Sequence, residues 1–258
     1  MVTRALLPLK DLVAAKTRLA GILAPSERRA LMQAMAEDVL AVLAEHPGIQ
    51  HITLLSDDPA ATLLARRYGA EHCAERSLGC RGLNAVLAAA CARVAAPGEA
   101  ATAMAATGER VMILHADLPW LSAADLDAAL AQQAAAGGLL VGTDRAGRGT
   151  NLLLFGAEGT PDFHFGVDSC ARHVAAARRT GQAVRVLQRS GIARDVDTPA
   201  DVAELLMTPA NDGCEGALGA ATRAVLGQPG LAPRLRLALA GLESDNNMGA
   251  GNNHGAVS

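Results

Sequence analysis

Short apolar segments alternate with helical segments along most of this 258-residue chain. The segment 110–114, RVMIL, is the strongest strand candidate, and the others are 5–9, 51–56, 139–141, 151–155 and 183–187. Strands that alternate with helices in this way favour an α/β fold with three layers and a mostly parallel sheet. Ligands bind such a sheet beyond the carboxyl ends of its strands. Residues directly after a strand are therefore the first candidates for a functional site.

Local signals mark where several of the helices begin. Residues 25–27, PSE, supply a helix N-terminus, and apolar side chains then recur at every fourth position from Leu31 to Leu43. That spacing predicts an amphipathic helix that covers one face of the sheet. Residues 122–125, SAAD, resemble a capping box, and the Thr-Pro pair at 198–199 predicts the start of the last regular helix.

The composition of the chain changes after Met207. Residues 1–207 carry the alternating pattern and are predicted to form one domain, whereas 208–258 form a C-terminal extension. Gly, Asn, Ala and Ser accumulate in this extension, and periodicity is confined to 231–242, so the extension is predicted to be largely disordered. The low-complexity segment 97–108 is expected to be a surface loop.

Charge and composition exclude several classes of function. The formal net charge is -3 at pH 7 and aromatic residues make up 2% of the chain. A protein whose main task is to grip nucleic acid needs a positive field or stacking platforms, and neither is present, so no nucleic-acid partner is expected. Any phosphate that this chain binds must be held by a local arrangement of residues.

Cysteine usage and hydropathy indicate the compartment. The five cysteines lie at positions 73, 80, 91, 170 and 214 and form no CxxC pair, which argues against a zinc site and against an oxidising compartment. No run of 18 apolar residues and no signal-peptide pattern is found. We expect a cytoplasmic protein without a membrane partner.

Asp117 follows the strongest strand candidate directly, in the segment 114–119, LHADLP. A carboxylate held rigidly at the rim of a sheet suits Mg²⁺ shared with substrate phosphates, although an isolated Asp at such a place caps a turn about as often. Asp195 and Asp197 precede the last predicted helix, and one of them can point to the same rim. Either acid can instead support the helix N-terminus electrostatically.

Cations follow the first strand candidate. Lys10, Lys16 and Arg18 cluster there, where a bound triphosphate needs its charge neutralised, although a solvated basic surface gives the same pattern. No histidine pair has a metal-binding spacing, and no catalytic base is assigned.

Two Gly-containing segments are candidate anion sites. Thr150 lies in the segment Gly-Thr-Asn, and Gly166 and Ser169 lie in a segment that opens a helix, whose N-terminus attracts anions. Arg172 and His173 are three and four residues after Ser169 and share its helical face. Arg172 is a candidate for binding a carboxylate, and His173 is interpreted as a packed residue.

Six short motifs together resemble one known family in order and spacing. They are PLK at 8–10 with AKTRL at 15–19, GLN at 82–84, ADLP at 116–119, GTN at 149–151, Gly-x-x-Ser at 166–169 and DVDTP at 195–199. The family is the guanylyltransferase of deazaflavin coenzyme biosynthesis, which makes the activated side-chain precursor of coenzyme F-420. The resemblance covers about residues 5 to 207.

The resemblance implies a Rossmann-like nucleotidyltransferase fold with two substrate subsites. Asp117 and Asp197 are the implied Mg²⁺ ligands. The implied contacts to a small phosphorylated acid are Thr150, Gly166 and Ser169. His115, where a small residue or proline is expected, and the long 97–108 segment depart from the family pattern.

The implied reaction is a direct displacement without a covalent enzyme intermediate. A phosphate oxygen of the acid attacks the α-phosphorus of GTP and pyrophosphate leaves. Lys10, Lys16 and Arg18 are expected to neutralise the triphosphate, and Gly82 and Asn84 to seat the nucleotide. The acceptor is expected to be 3-phospho-D-glycerate or phosphoenolpyruvate, with 2-phospho-L-lactate as the alternative.

Two other functional classes remain open at this point. A nucleotide-sugar-dependent transferase also suits a strand-end Asp with Mg²⁺, and a nucleotide-sensing module without activity can keep the same fold. The presence of both Asp117 and Asp197 counts against the sensing module. A homodimer is a further open expectation.

Overall fold

A seven-stranded, mostly parallel sheet lies at the centre of the protein. The computed structural model describes residues 1–9, 16–95, 109–208 and 216–250. The strands are β1 (Thr3–Pro8), β2 (His51–Leu55), β3 (Glu71–Cys73), β4 (Arg110–Leu114), β5 (Leu139–Thr143), β6 (Thr150–Gly156) and β7 (Val184–Leu187). Their order across the sheet is β3-β2-β1-β4-β6-β5-β7.

Helices cover both faces of this sheet. They are α1 (Pro25–Glu45), α2 (Ala61–Arg67), α3 (Leu83–Ala95), α4 (Ala123–Ala136), α5 (Ser169–Arg179), α6 (Ser190–Ala193), α7 (Pro199–Met207), α8 (Ala220–Leu226) and α9 (Leu231–Ala250). Short 3₁₀ helices lie at Thr17–Leu19, Glu75–Leu78 and Ala157–Gly159. None of the helices in the described ranges combines the length and the apolar character that crossing a bilayer requires.

Strand β6 is antiparallel to both of its neighbours, β4 and β5. The other described pairs are parallel. Because β6 runs in the opposite direction, its first residues lie beside the last residues of its neighbours: Thr150 pairs with Thr143, and Leu152 pairs with Leu114. The start of β6 therefore lies at the sheet edge where β1, β4 and β5 end.

Alternating side chains of the sheet pack into two hydrophobic cores, one on each face of the sheet. On β1, Leu7 packs into the core beneath α1, α2, α4 and α7, whereas Leu6 packs into the core beneath α3 and α5. Both side chains are at most 1% exposed. Since successive residues of a strand point to opposite faces, one apolar run serves both cores, and the predicted three-layer α/β architecture is confirmed.

The helix caps follow the sequence signals. The Ser122 hydroxyl accepts from the Asp125 N–H, and the Thr198 hydroxyl accepts from the Asp201 N–H, each within a capping box. Pro25 occupies the first turn of α1, as predicted. The short edge strand β3 was not predicted, because its three residues carry no apolar pattern.

The C-terminal extension is folded where the structure describes it, which corrects the expectation of disorder for that part. The Asp38 carboxylate, on α1, accepts the Ala221 and Thr222 N–H groups at 2.8 and 2.9 Å and so caps α8 from outside the helix. Leu226 and Leu235 pack into the core beneath α1. The domain boundary at residue 207 stays a prediction, and residues 251–258 and 97–108 lie outside the described ranges.

Gly219 makes the close approach of α8 to α1 sterically feasible. A Cβ at this position would lie 2.1 Å from the Asp38 carboxyl carbon, and Asp38 is held by two hydrogen bonds. We therefore expect Gly219→Ala to lower the free energy of unfolding by about 1–3 kcal/mol in urea denaturation, the usual cost of overpacking. In Gly21→Ala the added Cβ meets nothing within 4 Å, so this control should change stability by less than about 0.5 kcal/mol. Equal effects of both variants would contradict the steric argument.

Candidate active site

An open pocket of about 570 Å³ lies at the edge of the sheet where the parallel strands end. Seven of the predicted site residues line it, namely Lys16, Arg18, Asp117, Thr150, Gly166, Ser169 and Asp197. The volume is within the range of pockets that hold a nucleotide-sized ligand. The structure thus brings together residues that are far apart in the sequence.

One wall of the pocket is acidic and encloses a lysine. The Lys16 ammonium donates to carboxylate oxygens of both Asp117 and Asp197. Asp117 lies just after β4, and the Val196 N–H donates to the Asp117 carbonyl at 3.2 Å, which fixes the spacing of the two acidic segments. Lys16 itself has a left-handed backbone conformation, with φ of 56°. Such a conformation is uncommon for lysine, and the ion pairs help to hold it.

In the acidic wall, neighbouring charges together shift the pKa values of Lys16 and Asp117 further than burial does. Burial on its own lowers the pKa of Lys16, but the negative charges of Asp117 and Asp197 raise it above its ordinary value. Burial likewise raises the pKa of Asp117, and the Lys16 ammonium brings it below its ordinary value. Near neutral pH the lysine is therefore protonated and the Asp117 carboxylate is ionised.

Asp195 is a third carboxylate of this wall, which the sequence analysis did not select as a metal ligand. Burial, together with the charges of Asp117 and Asp197, raises the pKa of Asp195 to about 6. The Asn151 side chain, at the start of β6, donates to Asp195 at 3.1 Å and to the Ile192 carbonyl at 2.9 Å. The Asp-x-Asp spacing contained the signal, but only the tertiary structure reveals that both acids line the pocket.

A second wall of the pocket carries hydroxyl groups and a helix N-terminus. Thr150 and Ser169 are each 2% exposed and line the pocket together with Gly166. Helix α5 begins at Ser169, so the positive end of its dipole lies at this wall. Gly166 has φ of 124°, a backbone conformation that residues with a Cβ rarely adopt. This wall is suited to an anion.

Four predicted residues are not among the described residues that line the pocket, for different reasons. Lys10 lies outside the described residues. Arg172 is on the exposed side of α5. Gly82 and Asn84 are not among the lining residues either. Asn84 instead binds backbone: its amide nitrogen donates to the Phe165 carbonyl at 3.2 Å and its oxygen accepts the Phe165 N–H at 2.8 Å. It thereby positions the residue that precedes Gly166.

The carboxylates of the acidic wall are oxygen ligands of the kind that a hard cation binds. No three acidic, histidine or cysteine side chains among the described residues already surround one point, and the Lys16 ammonium lies between Asp117 and Asp197. The Oδ1 atom of Asp117 is buried without a hydrogen-bond partner in the described part of the chain. A buried, unpartnered carboxylate oxygen near a second and a third carboxylate fits a hard cation with oxygen ligands.

Two solved structures share the fold of this chain. A putative nucleotide-diphospho-sugar transferase from Desulfovibrio desulfuricans has the same fold, with a TM-score of 0.69 at 18% identity, over 92% of this chain and 97% of that one. A 4-diphosphocytidyl-2C-methyl-D-erythritol synthase aligns with a TM-score of 0.52 at 14% identity, over 79% of this chain and 96% of that one. The fold is that of the nucleotidyltransferases, as predicted.

Sequence similarity narrows the class to one family. Residues 3–216 match the family described as guanylyl transferase CofC like. The phosphoenolpyruvate guanylyltransferase of Conexibacter woesei is 38% identical over 203 residues, which is 78% of this chain and 86% of the relative. That of Sphaerobacter thermophilus is 35% identical over 206 residues, 80% of this chain and 93% of the relative. The chain belongs to the CofC-like guanylyltransferase family, which confirms the resemblance drawn from its motifs.

The contacts of Asn84 generate a test of its role in the fold. Asn84→Ala leaves the N–H and the carbonyl of Phe165 without their partner, and Phe165 is 7% exposed. We expect the free energy of unfolding to fall by about 1–3 kcal/mol, measured by urea denaturation. Gln228→Ala, at an exposed position, removes an amide of the same kind and should change it by less than about 0.5 kcal/mol. If Asn84→Ala leaves the free energy of unfolding unchanged, Asn84 does not hold the Phe165 backbone in place.

Proposed function

We propose that the protein transfers GMP from GTP to a small phosphorylated carboxylic acid, with phosphoenolpyruvate as the first candidate, and releases pyrophosphate. The names of the relatives from Conexibacter woesei and Sphaerobacter thermophilus support this acceptor. 3-Phospho-D-glycerate is the second candidate, and 2-phospho-L-lactate is the alternative. The product would be the activated side-chain precursor of coenzyme F-420. The observation that carries the proposal is one pocket that is lined both by acidic side chains and by hydroxyl groups at a helix N-terminus.

The proposed reaction needs alignment and charge neutralisation more than a base. An oxygen of the acceptor phosphate forms a bond to the α-phosphorus of GTP, while the bond from that phosphorus to the bridging oxygen breaks. The electron pair leaves with pyrophosphate. Because the attacking phosphate is already an anion, no proton has to be removed. A reaction of this kind is consistent with the sequence, in which no residue was identified as a catalytic base.

The acidic wall is the proposed binding site of Mg²⁺. Asp117 and Asp197, the predicted ligands, and the neighbouring Asp195 would hold the ion, which would neutralise the triphosphate charge. Lys16 would then be free to face the phosphates, and Arg18 lines the same pocket. In this proposal Lys16 keeps the two acids close together while no divalent ion is bound.

The second wall is the proposed site of the phosphorylated acid. Thr150 and Ser169 supply hydroxyl groups, and the N-terminus of α5 supplies partial positive charge. Gly166 leaves room for the acid to approach the backbone, because a Cβ added there would meet nothing within 4 Å while its φ of 124° disfavours any side chain. The acid would thus lie between this wall and the nucleotide.

A cytoplasmic location fits this chemistry. GTP and phosphorylated three-carbon acids are cytoplasmic metabolites in the proposed pathway, and the four described cysteines are all free. The thiol groups of Cys91 and Cys170 are buried. The homodimer remains a prediction that neither the fold nor the pocket tests.

The function is tested by measuring pyrophosphate release with Mg²⁺, GTP and one acid at a time. Phosphoenolpyruvate should give the highest kcat/KM, and the nucleotide product should carry the acid through a diphosphate linkage, as seen by mass spectrometry. Higher turnover with 3-phospho-D-glycerate or 2-phospho-L-lactate would replace the acceptor but keep the reaction. No pyrophosphate with any of the three acids would refute the proposed function.

Asp117→Asn should lower kcat by about 1000-fold, because the loss of a carboxylate ligand removes several kcal/mol of electrostatic stabilisation of the transition state. Steady-state pyrophosphate release measures the effect. Asp162→Asn, at a carboxylate 67% exposed and outside this pocket, is the matched control and should retain wild-type turnover. If Asp117→Asn turns over normally, Asp117 has no part in the mechanism.

Lys16→Met tests metal binding without relying on activity. The variant leaves Asp117 and Asp197 facing each other without a counter-ion, so it should be less stable than the wild type without Mg²⁺. Added Mg²⁺ should raise its melting temperature by about 3 °C more than that of the wild type. The double variant Lys16→Met/Asp117→Asn should lose this extra response. Equal shifts in all three proteins would argue against a metal at these carboxylates.

A further inference from the structure

His173 lies directly behind the wall that carries Thr150 and Ser169. Its side chain is fully buried, at 0% exposure, one turn along α5 from Ser169. Both ring nitrogens have partners: Nε2 lies 2.9 Å from the His164 backbone nitrogen, and Nδ1 lies 3.1 Å from the Thr150 hydroxyl. The sequence pattern alone indicated only a packed residue, because the distance to β6 is not visible in it.

The contact with the backbone decides which nitrogen carries the proton. A backbone N–H can only donate, so the Nε2 atom of His173 must accept with its lone pair. Burial, with the charges of His164 and Arg172, lowers the pKa of His173 to about 4, so that the ring is neutral at pH 7. The single proton of the neutral ring is therefore on Nδ1.

This tautomer in turn fixes the role of the Thr150 hydroxyl. Because Nδ1 of His173 carries the proton, it cannot accept from the Thr150 hydroxyl, so the hydroxyl hydrogen has to point elsewhere. The ring of His173 also forms a hydrogen bond with the Ser169 backbone, which helps to fix it. Thr150 lines the pocket. The ring of His173 is held edge-on against Phe165, with 5.0 Å between the ring centroids, so the ring plane is fixed as well.

We propose that His173 is a positioning residue, which turns the Thr150 hydroxyl into an obligatory hydrogen-bond donor toward an anionic oxygen in the pocket. The inference rests on the proposed function, in which that oxygen belongs to the phosphorylated acid. It adds a basis for selectivity: an acid oxygen that accepts is bound, whereas a neutral analogue that presents a hydrogen at this position is rejected. A merely packed histidine would confer no such preference.

The tautomer is tested first, on the wild-type protein with ¹⁵N-labelled histidine. Long-range ¹H–¹⁵N spectra at pH 7.5 should show His173 protonated at Nδ1 and unprotonated at Nε2, with assignment from the signals lost in His173→Leu. His164→Ala keeps the backbone N–H and should leave the His173 tautomer unchanged. An Nε2-protonated or a doubly protonated His173 would overturn the proposal. This readout requires no turnover and stands even if the proposed function fails.

A double-mutant cycle then tests the coupling to the substrate. Thr150→Val should raise the KM of phosphoenolpyruvate about tenfold, the usual loss of a hydrogen bond to a charged group, with the KM of GTP within about twofold of wild type. His173→Leu should have the same selective effect, and the double variant should be no worse than Thr150→Val alone. Fully additive effects, or an equal rise in the KM of GTP, would overturn the positioning role. His173→Gln, which keeps one acceptor and one donor, should leave the KM of phosphoenolpyruvate within about twofold of wild type, and it supplies the test if His173→Leu does not fold: a roughly tenfold rise in this variant would overturn the positioning role.

Discussion

The ion pairs of Lys16 with Asp117 and Asp197 tie together three segments that are distant in the sequence. Carboxylates that approach one another repel, so a cation between them is needed for the pocket to keep its shape. The hydrogen bond from the Val196 N–H to the Asp117 carbonyl holds the spacing without any charge. The same local excess of negative charge that binds an ammonium group is what a divalent cation requires. A stable unliganded fold and the proposed affinity for a metal thus have one common cause.

Much of the fold was predictable because its signals are local. A few neighbouring residues are enough to indicate the apolar strands β1 and β4 and the helix caps Ser122 and Thr198. The structure has all four of these features where the sequence predicted them. The direction of β6 depends on its pairing with β4, and the packing of α8 depends on Asp38, which is 183 residues before Ala221. Such pairings leave no periodicity in a single sequence, and the extension was therefore predicted as disordered.

Some residues of the candidate site could likewise be predicted from local sequence signals, and others could not. Asp117 was predictable since it follows the strongest apolar strand, whereas the choice between Asp195 and Asp197 was not, because alternation along the chain does not reveal that both acids line one pocket. Asn84 had a recognisable motif, but its amide contacts the Phe165 backbone in this structure. His173 had no motif of its own. A motif marks a residue as important more readily than it specifies what the residue touches.

The helices after residue 216 are bound to the loop that follows the metal-site candidate Asp117. The Gly219 N–H donates to the Pro119 carbonyl at 2.8 Å, and the buried Trp120 indole donates to the Thr208 hydroxyl at 3.1 Å. A shortened chain that stops at the compositional boundary after Met207 would remove both of these hydrogen bonds and uncover the apolar side of α1. For protein engineering, a truncation or a fusion should therefore be placed beyond α9. The change in composition after Met207 suggests a boundary that is too early.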